Sequence, residues 1–406
     1  MTKLNHHFTK LSDDNLFAEI ARKIAAFKEK NSNAPLLNLA AQDSTRPLAP
    51  SIALALENGA KEMSQEATYK GYGPSLGYSF LREAIAQSDY RNVSISAEEI
   101  FISDSAKGDL TNIGEIFAAE NRIAVPDPIF PAYVDSNVIA GRTRLHLKTG
   151  GYGGVVYLPC NQLNHFIPEL PNRPCDIIYL SSPSNATGIA MKKQHLEEWV
   201  HFAHEHQAVI LFEGTYEAYI RSPDCPRTIY EIEGAQEVAI EIRSFSKTAS
   251  FTGLRCAYTV IPHALKIAHG SQKISLHSLW KKRQETKFNG VSYPIQKAAS
   301  AIYSKKGQEE VKQIIDSYLW QAISLRKNLI EMGFTVFGGM DAPYLWLKTP
   351  QKLASWDFFD LLLNRGQIIC VPGSGLGNEG EGYVRLSCFA SAQTIAESVK
   401  KFKELC

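Results

Sequence analysis

The sequence is poor in net charge. Its 43 Lys and Arg balance 42 Asp and Glu to leave +1 with neutral His. A chain so balanced lacks the clustered basic face that nucleic-acid binding needs. No stretch approaches the ~20 consecutive apolar residues that span a bilayer, and the opening MTKLNHHFTKLSDD has no apolar segment of signal-peptide type. The seven cysteines, Cys160, Cys175, Cys225, Cys256, Cys370, Cys388 and Cys406, are odd in number and include no C-x-x-C pair. That excludes the usual zinc and dithiol spacings and points to reduced thiols. His6 and His7 are adjacent rather than one helical turn apart, so they suit a mobile arm better than a metal pair. Internal repeats and low-complexity linkers are also missing. The expectation is a cytoplasmic protein with no nucleic-acid partner and no membrane partner.

What is present is an ordinary globular balance, 44% hydrophobic and 21% charged, over 406 residues. That is too long for one compact core and long enough for a large and a small domain. Ser12, Asp13 and Asp14 are good N-cap types ahead of the helical pattern NLFAEIARKIAAFKEKN. Pro47 and Pro50 then break structure, and Ser51 is placed to cap a helix over SIALALENGAKEM. From Glu99 to Val260 the β-rich runs EIFIS, RIAVPD, DIIYLSS, AVILFEG, VAIEIRS and CAYTVIP alternate with helical patterns such as KKQHLEEWVHFAHEHQ. This alternation predicts an α/β fold with a mostly parallel sheet and helices on both faces. A long helical region from Pro294 to Met332, followed by GFTVFGG, APYLWLK and GYVRLSCF, predicts a smaller α+β domain.

Several predicted strands end in loops that carry chemistry, where open α/β sheets place ligands. SFSKTASFTGLR follows VAIEIR and sets Lys247 among Ser244, Ser246 and Arg255. An amine that bonds a carbonyl, with hydroxyls and a guanidinium on a phosphate, suits pyridoxal 5'-phosphate (PLP). In isolation S-x-S-K reads equally as a surface lysine between capping serines. Glu213 ends the strand AVILF, with Tyr216 three residues on, and Asn185 follows DIIYL. A carboxylate facing the pyridine nitrogen keeps it protonated, while Asn185 and Tyr216 hydrogen-bond the ring oxygen O3′. Glu213 otherwise reads as a common strand-end acid. The backbone amides of Ala106 and Lys107 open a helix after EIFIS and form a phosphate cradle, with Asp109 capping or orienting the turn. Phe130, in DPIFPAYVD, offers an aromatic face for the ring or for the core. Arg385 interrupts the apolar strand GYVRLSCF and requires a carboxylate opposite it, either from the chain or from a substrate.

Taken together, SFSK with FTG-x-R, the N-x-T-G loop, the strand-end acid with x-x-Tyr and the late V-R-x-S strand resemble fold-type I, class I/II aminotransferases. GYGPSLGYSFLREAIA, EIFISDSAKGD, DPIFPAYVDSNVIAGRT, KFNGVS, APYLW and PGSGLGNEGEG are similar to the LL-diaminopimelate aminotransferases in particular. The similarity runs from LFAEIA to LSCF. It implies a homodimer with active sites at the subunit interface, and catalytic roles for Lys247, Glu213 and Tyr216. PLP would be held by Ala106, Lys107, Phe130, Asn185, Glu213, Tyr216, Ser244, Ser246, Lys247 and Arg255, with Tyr72 and Asn289 from across the interface. Arg385 and Asn185 would take the α-carboxylate. The organisation is then an N-terminal arm and helix (1–50) joining the small domain, a large PLP-binding domain (51–295) and a small C-terminal domain (296–406).

Six departures from that family stand in the sequence, two of them mild: Phe130 replaces the stacking tyrosine and Ala186 the proline of an N-P-T-G loop. Glu213 replaces an aspartate. Ser75 replaces the glutamate that grips the distal ammonium of diaminopimelate, Asn15 replaces a tyrosine, and Gln42 replaces a glycine. Losing a charged partner for a buried group discriminates strongly against the molecule that carries it. The expectation is therefore an aminotransferase for a small amino acid other than LL-diaminopimelate. The alternative keeps the same cofactor machinery for β- or γ-elimination, replacement or cyclisation of a specialised amino acid, such as S-adenosylmethionine or a hydroxy-arginine. The basic run Lys281, Lys282, Arg283 reads as a solvated helix face, or as an attractor for an anionic substrate.

Overall fold

The computed structural model describes residues 1–11, 16–32, 34–147 and 150–405. After a short strand β1 (Leu37–Asn38), seven strands build the main sheet: β2 (Ile100–Ser103), β3 (Ile123–Asp127), β4 (Val156–Pro159), β5 (Ile177–Ser181), β6 (Val209–Glu213), β7 (Ala239–Ser244) and β8 (Ala257–Val260). Their order is β2-β8-β7-β6-β5-β3-β4. Only β8 runs against its neighbours. The central strands are buried along almost their whole length, which is why IIYLS and VILFE read as continuous apolar runs rather than alternating ones. Six of these seven strands match the runs expected from sequence. β4, on the sheet edge, was not anticipated.

Helices cover both faces of the sheet. Lys193–His206 buries Leu196, Trp199, Val200 and Ala203 at helical spacing and ends at Gln207 in the left-handed conformation. The expected long helix is two, Tyr293–Ala301 and Lys305–Glu331, because the chain turns at Ser304, whose side chain caps the second by accepting from the Gly307 amide. Pro50 begins the helix Pro50–Met63 instead of stopping the chain before it. A proline lacks only an amide that the first turn leaves free anyway. Ser51 is therefore inside the helix and not its cap, and its amide and hydroxyl both donate to Glu310 at 2.9 and 2.6 Å.

A second sheet of four antiparallel strands follows, in the order Val336–Gly338, Tyr344–Lys348, Tyr383–Ser387, Val371–Pro372. Its hydrophobic core takes in Leu325, Trp346, Phe359, Val384 and Phe402, and also Leu16, Ile20 and Phe27 from the helix Leu16–Lys30. Losing a fully buried aromatic such as Trp346 to alanine costs about 3–5 kcal/mol. β1 lies parallel to Ile368–Ile369 and ties the N-terminal segment to the same core. The N-cap residues expected at 12 to 14 lie outside the described residues. His6–Lys10 form a 3-10 helix held against the chain, with the Asn5 amide donating to Ile139 O, Lys10 to Thr143 O, and the Tyr152 hydroxyl to Lys10 O. The expected mobile arm is thus docked, because its polar groups find partners around residues 139–152. Among the described residues no helix is long and apolar enough to cross a membrane.

Candidate active site

The carboxyl ends of β2, β3, β5, β6 and β7 open on one cavity of about 450 Å³, a size suited to a small cofactor with its substrate. β7 ends at Ser244, and the short helix Phe245–Thr248 turns Lys247 into the cavity. The Ser244 side chain accepts from the Ser246 amide at 3.1 Å, and the Tyr219 hydroxyl donates to Lys247 O at 2.8 Å, so the turn is held at both ends. Burial disfavours the ammonium of Lys247. Its pKa falls to about 8, with Asp43 opposing the shift and Arg385 and Arg255 adding to it. At neutral pH a lysine of this kind reaches its nucleophilic neutral form far more readily than an exposed one.

Glu213 is the last residue of β6 and lies level with Ser181 and Ile242 on its neighbours. One carboxylate oxygen accepts from the Thr215 hydroxyl at 2.7 Å, the other from the Tyr133 hydroxyl. Asn185 follows β5, and its side-chain amide donates to Tyr216 OH at 2.8 Å, which in turn meets Tyr344 OH at 3.0 Å. The loop that carries Asn185 closes on Gly188, at φ +70°, where a Cβ would lie 2.4 Å from Tyr344 O. Only glycine permits that approach.

Ala106 and Lys107 open the helix Ala106–Asn112, whose first amides have no partner within the helix. Ser105 caps this helix by accepting from the Gly108 amide at 3.0 Å, in place of Asp109. Asp109 orients the helix instead, accepting from the Thr259 hydroxyl of β8 at 2.6 Å, and burial pushes its carboxyl to about 7. Arg255 lines the same cavity, with a left-handed φ of +63° and its guanidinium donating to Thr252 O at 2.9 Å. Such conformations in non-glycine residues gather at ligand sites. Phe130 lines the cavity too, with Lys107 Nζ 5.6 Å above its ring.

Arg385 is 1% exposed, and no carboxylate pairs with it among the described residues. It donates to Asn185 O and Oδ1 at 3.0 and 2.8 Å and lies 4.7 Å from the Tyr344 ring centre. Its Nε and Nη2 are buried without a partner. Of the two readings open at the sequence level, the described residues offer no acid for the first, which favours the substrate carboxylate. Buried donors left unmet cost about 1–3 kcal/mol each, and an incoming carboxylate supplies what two such donors lack.

The cavity thus gathers Gln42, Ala106, Lys107, Phe130, Asn185, Glu213, Tyr216, Ser244, Ser246, Lys247 and Arg255, with Arg385 bonded to its wall. Tyr72, Ser75 and Asn289 do not line it. Tyr72 is 91% exposed, and the loop of Ser75 meets that of Asn289 where Gly290 approaches Pro74 O. Asn15 lies outside the described residues. The basic run lies on the helix Leu276–Lys287, where Lys281 pairs with Glu285 at 3.9 Å and Arg283 with Glu115 at 3.2 Å. Sequence reasoning missed Asp43, Ser105, Tyr133, Thr215 and Tyr344. Thr215, two residues after Glu213, and Ser105, at a helix start, had a local signal. Tyr133 and Tyr344 read as core aromatics, and only tertiary pairing brings them here.

The donor set fits PLP: an amine of lowered pKa for its carbonyl, Glu213 for its ring nitrogen, Asn185 and Tyr216 for its hydroxyl, Phe130 for its ring face, and helix-start amides with Arg255 for its phosphate. Comparison with known proteins agrees. The family model for aminotransferase class I and II matches residues 34–402. The LL-diaminopimelate aminotransferase of Desulforapulum autotrophicum is 47% identical over 100% of this chain and 99% of its own length. That of Methanosphaera stadtmanae is 45% identical over 99% of both. The solved L,L-diaminopimelate aminotransferase from Chlamydomonas reinhardtii superposes with a TM-score of 0.94 at 42% identity, covering 100% of this chain and 98% of that one. A PLP-dependent enzyme with the fold-type I architecture, this chain belongs to the class I and II aminotransferase family.

Proposed function

We propose that this enzyme transaminates an α-amino acid other than LL-diaminopimelate, and that Arg385, Asn185 and Lys247 carry the reaction with PLP bound. The observation behind the reading is the pair of unpartnered guanidinium nitrogens of Arg385, buried behind Asn185 at the wall of the Lys247 cavity. The arginine holds the α-carboxylate of the amino acid in two-point contact, which orients the Cα–H bond. Lys247 Nζ would take and hold the proton from Cα, a task matched to a pKa near 8. PLP, when bound, supplies the electrophilic carbonyl and the electron sink. Tyr344 and Phe389 wall the amine from water on the side facing the second sheet.

The substrate part of the proposal rests on Gln42, which places an amide where the resemblance leaves open space, and on Ser75, which lacks the distal carboxylate. The 45–47% identity to enzymes named for LL-diaminopimelate favours the second reading, that diaminopimelate is the donor. Purified holoenzyme assayed with LL-diaminopimelate and 2-oxoglutarate separates the two, and turnover near the ~10 per second common among enzymes sinks our reading. A panel of other amino acids, followed by mass spectrometry, yields ketoacid for transamination. A new product formed without an amino acceptor indicates elimination or cyclisation.

The same reading carries three further proposals. The enzyme is a homodimer in which Tyr72 and Asn289, absent from their own chain's cavity, complete that of the second subunit. Residues 51–295 form the PLP domain, and 1–50 join the small domain 296–406. Its place is the cytoplasm, where thiols stay reduced like those of the six cysteines found free.

A further inference from the structure

Glu213 is a longer anchor than the aspartate of the resembled family, with one more side-chain torsion to fix. Both of its oxygens are engaged: Thr215 Oγ1 donates to Oε1 at 2.7 Å, and the Tyr133 hydroxyl donates to Oε2. Tyr133 is 2% exposed, its ring edge-on to Tyr179 at 5.4 Å, and its backbone carbonyl accepts from the Asn137 side chain at 2.7 Å. Thr215 stands in the loop directly after β6. A carboxylate has about four acceptor positions, so two donors from the chain leave room for a third from a ligand.

We infer that Tyr133 and Thr215 are positioning residues that hold Glu213 as an anion against the PLP ring nitrogen and keep the shared proton on the ring. The inference rests on the proposed role of Glu213. In a buried site an ion pair competes with the neutral pair in which the proton has moved to the carboxylate, because burial disfavours charge. Hydrogen bonds donated to the charged carboxylate lower its proton affinity and tip the balance back toward the protonated ring. Tyr133 is fit for this, since burial, reinforced by the Glu213 charge, holds its phenol well above the usual range and keeps it a donor. Glu213 in this chain therefore comes with two O–H anchors that fix its extra length.

The test is 15N NMR of holoenzyme reconstituted with PLP labelled at the ring nitrogen, alongside steady-state kinetics. Wild type shows the protonated-ring shift. Thr215→Val and Tyr133→Phe move it toward the neutral-ring position, the double variant moves it further, and Thr215→Ser restores it. Each single loss lowers kcat about tenfold while leaving the amino-acid KM within about twofold. A protonated-ring shift and unchanged kcat in both Thr215→Val and Tyr133→Phe overturn the inference. Should Tyr133→Phe not fold, Thr215→Val and its serine rescue decide alone, since that residue lies in a loop. Glu213→Gln tests the underlying role: a wild-type shift in that variant removes the role itself, whereas a neutral ring there with no effect of the other two removes only the anchors.

Discussion

The cofactor side and the distal substrate side of this cavity are built differently. Glu213 ends a strand of one sheet and Lys247, Asn185, Ala106 and Phe130 follow the ends of its other strands, so their relative positions are set by strand register. Gln42 comes from the loop after β1, while Tyr72, Ser75 and Asn289 sit on loops that do not reach the cavity in their own chain. A site fixed by a parallel sheet tolerates little change, whereas loops can exchange side chains without disturbing the core. Gln42 and Ser75 depart from the LL-diaminopimelate aminotransferases on the loop side, while the cofactor side departs mildly at Phe130 and Ala186 and more at Glu213, which carries two hydrogen-bond anchors.

The comparison breaks if the cofactor side tolerates substitution. Lys247→Ala is expected to lower kcat by at least about 10⁴-fold. Borohydride reduction and peptide mass spectrometry locate the PLP adduct on Lys247 in wild type and find none in the variant. Arg385→Leu strands the Asn185 acceptors and lowers kcat/KM for the amino acid about 100-fold, with KM carrying most of the loss.

Lys247 sharpens the comparison through pH. Burial lowers its pKa from 10.5 to about 8, so in the PLP-free protein the neutral amine is depleted as pH falls below about 8. Stopped-flow capture of PLP slows about tenfold per pH unit below that point and levels off above it. The linkage has the opposite sense to a salt-bridged lysine. The unfolded chain binds more protons between pH 8 and 10.5, so this group adds stability as pH rises through that window. Chemical denaturation of PLP-free wild type and Lys247→Met across the window checks the sign.

On the loop side the expected effects are smaller. Combining Ser75→Glu with Gln42→Gly raises kcat/KM for LL-diaminopimelate about tenfold, a gain that no cofactor-side change matches. Lys281→Ala, on a helix face where Lys281 already pairs with Glu285, leaves KM and its salt dependence unchanged and shifts stability within about 0.5 kcal/mol.

Strand runs and the motifs at their ends were legible because both are local. A βαβ alternation forces a parallel sheet, and a lysine four residues into a strand-end turn is carried wherever the strand goes. Helix boundaries near Pro50 and Ser304 were less legible, since a proline reads as a stop although the first turn accepts it. The least legible residues were Tyr133 and Tyr344. Tyr133 sits eighty residues before Glu213 in a helix that reads as core. Tyr344 reaches Tyr216 only because the second sheet meets the loops that follow β5 and β6.

The amino-acid sequence by itself determined the α/β class and the PLP chemistry, and it set Lys247 in a strand-end turn, because each depends on periodicity or on neighbours within a few residues. Tertiary structure alone decided that no acid among the described residues pairs with Arg385, that Lys247 loses basicity, and that Glu213 is gripped by Tyr133 and Thr215. Those properties depend on burial and on donors brought together from distant segments, and neither exists until the chain has folded.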